Sequence, residues 1–172
     1  MRGLIIRNIL RFIALIAIQI FVLNNIYLGG YICPMLYAMF ILMLPNRIGR
    51  IYTILIGFVL GLSIDICSNT LGFHACATTV MAFCRTTFAE KIITRGEDIS
   101  INTPSIYSVA PQFFIYYSAL LLFIHSLVFF ALDYFNFADI LRIILSSVLT
   151  TVATLVLVIV WQMLFNHKRR TR

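Results

Sequence analysis

Long apolar blocks separated by short polar connections dominate the pattern of this sequence. A helix that crosses a bilayer needs about 20 largely apolar residues, with a range of about 17–25. The apolar positions run continuously within each block, whereas the strands of an outer-membrane barrel alternate. The pattern therefore predicts an all-α membrane protein. Its six predicted spans cover residues 9–28, 31–44, 51–67, 71–89, 112–132 and 140–165.

The second block, residues 31–44, is the shortest of the six. It follows Gly29 and Gly30 and ends at Pro45. A stretch of this length is shorter than a membrane helix usually is. Two alternatives therefore stay open, a thin sixth span or a re-entrant segment that leaves five spans.

Basic residues occur on alternate connections between the blocks. Twelve of the 13 Lys and Arg residues precede or open the first block, lie between blocks two and three, close or follow block four, or follow block six. The exception is Arg142. The positive-inside rule then places both termini and the polar loop 90–111 in the cytoplasm. Two termini on one side require an even number of spans, so the charge pattern favours six spans over five.

Composition supports the same class of protein and excludes several others. The chain is 62% hydrophobic and 11% charged, whereas soluble domains are about 25% charged. The net charge of +7 lies beside the apolar blocks, so it indicates membrane orientation and not a nucleic-acid partner. The four cysteines lack the paired spacing of a zinc site, and no metal is expected.

The third block carries the sharpest local pattern. Gly57 and Gly61 form a GxxxG pair, which allows the backbone of a neighbouring helix to approach closely. Asp65 follows on the same helical stripe, and a carboxylate near the end of a membrane helix is costly unless it is solvated or partnered. Two interpretations stay open for Asp65: an outer-face contact or polar anchor, or a solvated residue that caps the adjoining turn.

Three further polar positions lie at the edge of or inside the blocks. His74 begins the fourth block and could pair with Asp65 across the short connection. His125 lies inside the fifth block, where a neutral imidazole bonded to a neighbouring helix is expected. Arg142 starts a four-residue stripe that we expect to pack against other helices. The stripe continues with Ser146, Thr150 and Thr154.

Enzymatic motifs are not recognisable. The sequence shows no Ser-His-Asp pattern, no HExxH and no P-loop. A metal site using Asp65, Cys67, His74 and Cys76 would match neither the ligand spacing nor the ligand set of recognised sites. We expect a non-enzymatic protein without a cofactor.

Residues 44–75 resemble the rod shape-determining protein MreD family of bacteria. The resemblance lies in Leu44-Pro45 at the end of the second block, then Gly61-Leu62-x-x-Asp65, and then Gly72-Phe73-His74-Ala75, where Phe73 stands in place of the usual leucine. Length and span order agree along the whole chain, but the specific motif is confined to these residues.

The resemblance implies a multi-pass, non-catalytic subunit of the cell-elongation complex in the bacterial cytoplasmic membrane. Its partners would be an MreC-like protein and, through it, MreB, RodA and a class B penicillin-binding transpeptidase, which together direct lateral-wall peptidoglycan synthesis and maintain cell shape. The family fold resembles the substrate-binding subunits of energy-coupling-factor transporters. The family-like positions are Gly61, Asp65, Gly72 and His74, and contact with MreC at this corner is a hypothesis.

Two other functions are compatible with this size and span count. The first is the substrate-binding subunit of a vitamin-type transporter, which would need a polar pocket open to the outside. The second is a membrane enzyme or proton-coupled carrier that uses Asp65, His74 and His125. That function would require His125 to reach a water-filled cavity.

Overall fold

The computed structural model of the chain describes residues 2–25, 31–46, 48–93, 104–107, 110–134 and 139–165. Within these ranges the chain is helical apart from turns and one extended stretch, and it forms no β-strand there. The α-helices are α1 (Arg2–Phe21), α2 (Met39–Leu42), α3 (Arg50–Ser68), α4 (Phe73–Ile93), α5 (Pro111–Tyr134) and α6 (Ile140–Phe165). Two 3₁₀-helices, Leu23–Asn25 and Leu36–Ala38, follow α1 and precede α2.

Four helical stretches of the described chain are long and apolar enough to cross a membrane. They are Asn8–Asn25, Arg50–Ser68, Pro111–Tyr134 and Ile140–Phe165. Helix α4 has a comparable length but is more polar, because it contains His74, Arg85 and several threonines. The chain is an all-helical protein whose apolar helices are compatible with a multi-pass membrane protein.

Several helix boundaries differ from the predicted ones. Helix α1 begins at Arg2, earlier than the predicted start at residue 9, because arginine is a good helix former and continues the helix beyond the apolar block. It ends at Phe21, and residues 26–28 of the predicted span lie outside the described residues. Residues 90–93 of the predicted loop extend α4, and most of the remaining loop is also outside the described residues.

Residues 31–44 do not form one continuous helix, as a regular transmembrane span would. We call them the broken segment: residues 31–35 are non-helical, and Leu36–Ala38 and Met39–Leu42 then form two short helical turns. Pro34 explains the break, since proline lacks an N–H donor and disfavours the helical conformation of the residue before it. Residues 34–44 are all buried, so this segment forms the centre of the bundle.

The broken segment extends from one end of the bundle to the other. Near its start, Tyr31 lies under the guanidinium of Arg142, at the beginning of α6. At its end, the carbonyl of Leu44 accepts a hydrogen bond from Arg85, in the second half of α4. We call these the Asp65 end and the Arg85 end of the bundle, because Asp65 lies near the C-terminus of α3 and close to the start of α4.

Helices α3 and α4 pack closely, because two glycines of α3 leave no side chain between the backbones. A Cβ placed on Gly57 would lie 2.9 Å from the Cβ of Ala82 and 3.0 Å from the carbonyl oxygen of Thr78. One placed on Gly61 would overlap the carbonyl oxygen of His74 and lie 2.5 Å from the Cα of Ala75. The GxxxG pair therefore lies inside this protein's own α3–α4 interface.

Helix α6 shows why the bundle fits a bilayer. Its buried face is mostly polar and its exposed face is apolar, the reverse of a helix on a soluble protein. The buried polar residues are Ser146, Ser147, Thr150, Thr151, Thr154 and Gln162. The most exposed side chains include Leu141, Val152, Val156 and Leu164.

The α3–α4 contact yields a first prediction. Gly61→Ala forces the two backbones apart and should lower the free energy of unfolding by about 1–3 kcal/mol, the usual cost of overpacking. Gly49→Ala is the matched control, because the nearest atom to its added Cβ is at an ordinary 3.6 Å. Thermal unfolding of both variants in detergent measures the difference, and equal stability would contradict the described packing.

Candidate functional site

Asp65 caps the start of α4 from the end of α3. Its carboxylate accepts hydrogen bonds from the backbone N–H of His74 at 3.1 Å, the N–H of Ala75 at 2.8 Å and the hydroxyl of Thr70. The first N–H groups of a helix have no partner within the helix, and a carboxylate also interacts favourably with the positive end of the helix dipole. Asp65 is 3% exposed, so it is a buried cap and not a solvated surface residue.

The connection between α3 and α4 is built to deliver this cap. Asn69 ends α3 in the left-handed conformation, with φ of 54°, and the Thr70 N–H bonds to the Asp65 carbonyl at 3.1 Å. Gly72 has φ of +89°, which glycine adopts without the steric cost of a side chain. Both turns are needed to reverse the chain within four residues.

A tyrosine in the broken segment joins two histidines from different helices. The hydroxyl of Tyr37 lies 2.7 Å from Nδ1 of His74 in α4 and 3.0 Å from Nε2 of His125 in α5. All three side chains are buried, with relative exposures of 4% or less. We call this group the Tyr37 bridge, and it ties the middle of the broken segment to both helices.

The hydrogen-bond inventory assigns the protons of the Tyr37 bridge. A hydroxyl donates one hydrogen bond and a neutral imidazole has one donor and one acceptor nitrogen. Nδ1 of His125 is buried and has no partner within the described chain. A buried N–H without a partner is rarer than an acceptor without one, so we assign the His125 proton to Nε2. Tyr37 then accepts from His125 and donates to His74.

Three side chains satisfy the non-helical backbone at the start of the broken segment. Thr150 accepts from the N–H of Cys33 at 3.2 Å, and Thr154 accepts from the N–H of Met35 at 3.0 Å. Gln19 of α1 donates to the carbonyl of Pro34 at 3.0 Å. Backbone groups at membrane depth need such partners, since lipid offers none.

Arg85 holds the other end of the segment. It is 2% exposed and donates to the carbonyl of Leu44 and to Oδ1 of Asn46, the latter at 3.1 Å. A cation at the C-terminal end of a short helical stretch interacts favourably with its carbonyls. The sequence interpretation treated Arg85 as a charge that closes or follows the fourth span, and it is instead buried within α4.

The structure separates the predicted site residues into distinct roles. Asp65 contacts the backbone N–H of His74, while the His74 ring turns away to Tyr37. His125 bonds to the broken segment, not to a long helix. Arg142 is exposed, and its guanidinium lies 5.2 Å and 4.9 Å from the ring centres of Tyr31 and Tyr134.

Sequence reasoning missed Tyr37, Arg85 and Gln19, which anchor the broken segment. Tyr37 lies in an apolar block with no distinguishing neighbour. Arg85 carried a usable signal, because an arginine inside the predicted span 71–89 needs a partner. Gln19 carried the same signal within the first block.

Metal binding has no support in the described part of the chain. No three His, Cys, Asp or Glu side chains lie close enough there to hold a metal ion. The two histidines of the Tyr37 bridge are held apart by the tyrosine hydroxyl between them. What this arrangement can do is fix the position of the segment.

Comparisons with known proteins identify no relative. No family model, no curated protein and no solved structure matches the chain.

The Tyr37 bridge yields a second prediction. Tyr37→Phe removes the hydroxyl that two buried ring nitrogens share, and should lower the free energy of unfolding by about 1–3 kcal/mol. Tyr52→Phe is the control, because Tyr52 is 68% exposed.

Nitrogen-15 NMR of labelled histidines should show both His74 and His125 protonated at Nε2. A proton on Nδ1 of His125 would contradict the assignment.

Proposed function

We propose that this chain is a non-catalytic, MreD-like subunit of the bacterial cell-elongation complex. It would help organise lateral-wall peptidoglycan synthesis by binding an MreC-like protein and, through it, the associated synthases. The observation that carries the proposal is the convergence of the motif residues Gly61, Asp65, Gly72 and His74 on one corner of the bundle.

The proposal includes six membrane crossings with both termini in the cytoplasm. Contacts along the broken segment support a crossing by residues 31–44, because its start lies at the Asp65 end and its last residue bonds to Arg85. In the described chain, α1 and α3 begin and α4 and α6 end beside the basic stretches of the sequence, and we assign these helix ends to the cytoplasm.

The surface offered to a partner lies at the Asp65 end. Asp65 and His74 are buried, so they would act by holding the shape of the corner and not by touching the partner. Leu71, which is 90% exposed at the tip of the α3–α4 connection, is the side chain best placed for contact. Ile66, 73% exposed, extends this apolar surface along α3.

The competing functions receive less support from the described residues. A vitamin-binding subunit needs unoccupied polar groups facing the outside, whereas Thr150, Thr154 and Gln19 bond to the backbone of the broken segment. A proton-coupled carrier needs water at His125, and that ring is fully buried beside Tyr37 and His74. Neither arrangement favours transport of a small molecule.

The orientation gives a third prediction. Cys67 is exposed near the end of α3, so a membrane-impermeant maleimide added to intact spheroplasts should label it when it is the only cysteine. A cysteine at Thr171 in the basic C-terminal tail should react only after the membrane is permeabilised. Labelling of Thr171→Cys in intact spheroplasts would contradict the orientation.

Partner binding gives a fourth prediction. Leu71→Asp should reduce co-purification of the MreC-like protein by about tenfold or more, as expected for an interface anchor, without changing the stability of the chain. Val156→Ser is the control, because Val156 is an exposed apolar residue away from the corner. Serine is used there because an aspartate at this position would be costly in lipid. Asp65→Ala should lower both stability and partner recovery.

The phenotype of cells that lack the protein distinguishes this function from its alternatives. Depletion of the protein should give rounded cells whose growth does not depend on an added vitamin, and Leu71→Asp should fail to restore rod shape. Full recovery of the MreC-like protein with both Leu71→Asp and Asp65→Ala would remove the support for the proposed contact.

A further inference from the structure

We draw no further inference here: the strongest candidate, the apolar surface groove between α1 and α3 that is lined by Phe12, Phe40 and Val59 among others, carries none, because nothing in the described part of the structure shows what covers it.

Discussion

The need to satisfy backbone hydrogen bonds inside an apolar bundle governs this structure. Residues 31–35 are not helical, yet they lie within a bundle whose outer surface is apolar. In lipid, an unsatisfied N–H or carbonyl costs several kcal/mol. The non-helical backbone can persist only because side chains from the surrounding helices supply the missing partners.

The distribution of polar residues follows from that need. Helix α6 contributes Thr150 and Thr154, α1 contributes Gln19, and α4 contributes Arg85. The Tyr37 bridge adds histidines from α4 and α5. Helix α3 contributes differently: it positions α4 through the Asp65 cap and the close contact at Gly61. The candidate site and the fold are thus one polar framework.

This framework also indicates what the residues of the motif that resembles the MreD family do in this chain. Its residues are mostly buried and occupied with internal contacts, so their chemistry is structural. A partner at the Asp65 end would meet the apolar tip around Leu71, whose position depends on the capped turn beneath it. Shape complementarity, and not a charged contact through Asp65, is then the basis of the proposed interaction.

The sequence predicted much of this architecture, because lipid imposes strong and local rules. Apolar length identified the long helices α1, α3, α5 and α6, although the first boundaries were displaced by several residues. The Gly57–Gly61 spacing pointed to close helix packing, and short turns around Gly72 brought Asp65 near His74.

The remaining features depend on tertiary contacts. Tyr37 meets His125 across 88 positions of sequence, and no local pattern signals such a pairing. The short second block indicated a break near Pro34. The buried path of the broken segment was not predicted, because the side chains that bond to it come from four different helices. The burial of Arg85 was not predicted, because it depends on tertiary contacts with Leu44 and Asn46.

Amide hydrogen exchange across residues 31–44 tests the central claim most directly. If helix side chains satisfy this backbone, the amides of Cys33 and Met35 should exchange as slowly as those in the middle of α5 and α6. Thr154→Val should then accelerate exchange at Met35 while leaving α5 unchanged. Rapid exchange of both amides in the unmodified protein, like that of a solvent-exposed loop, would contradict the account.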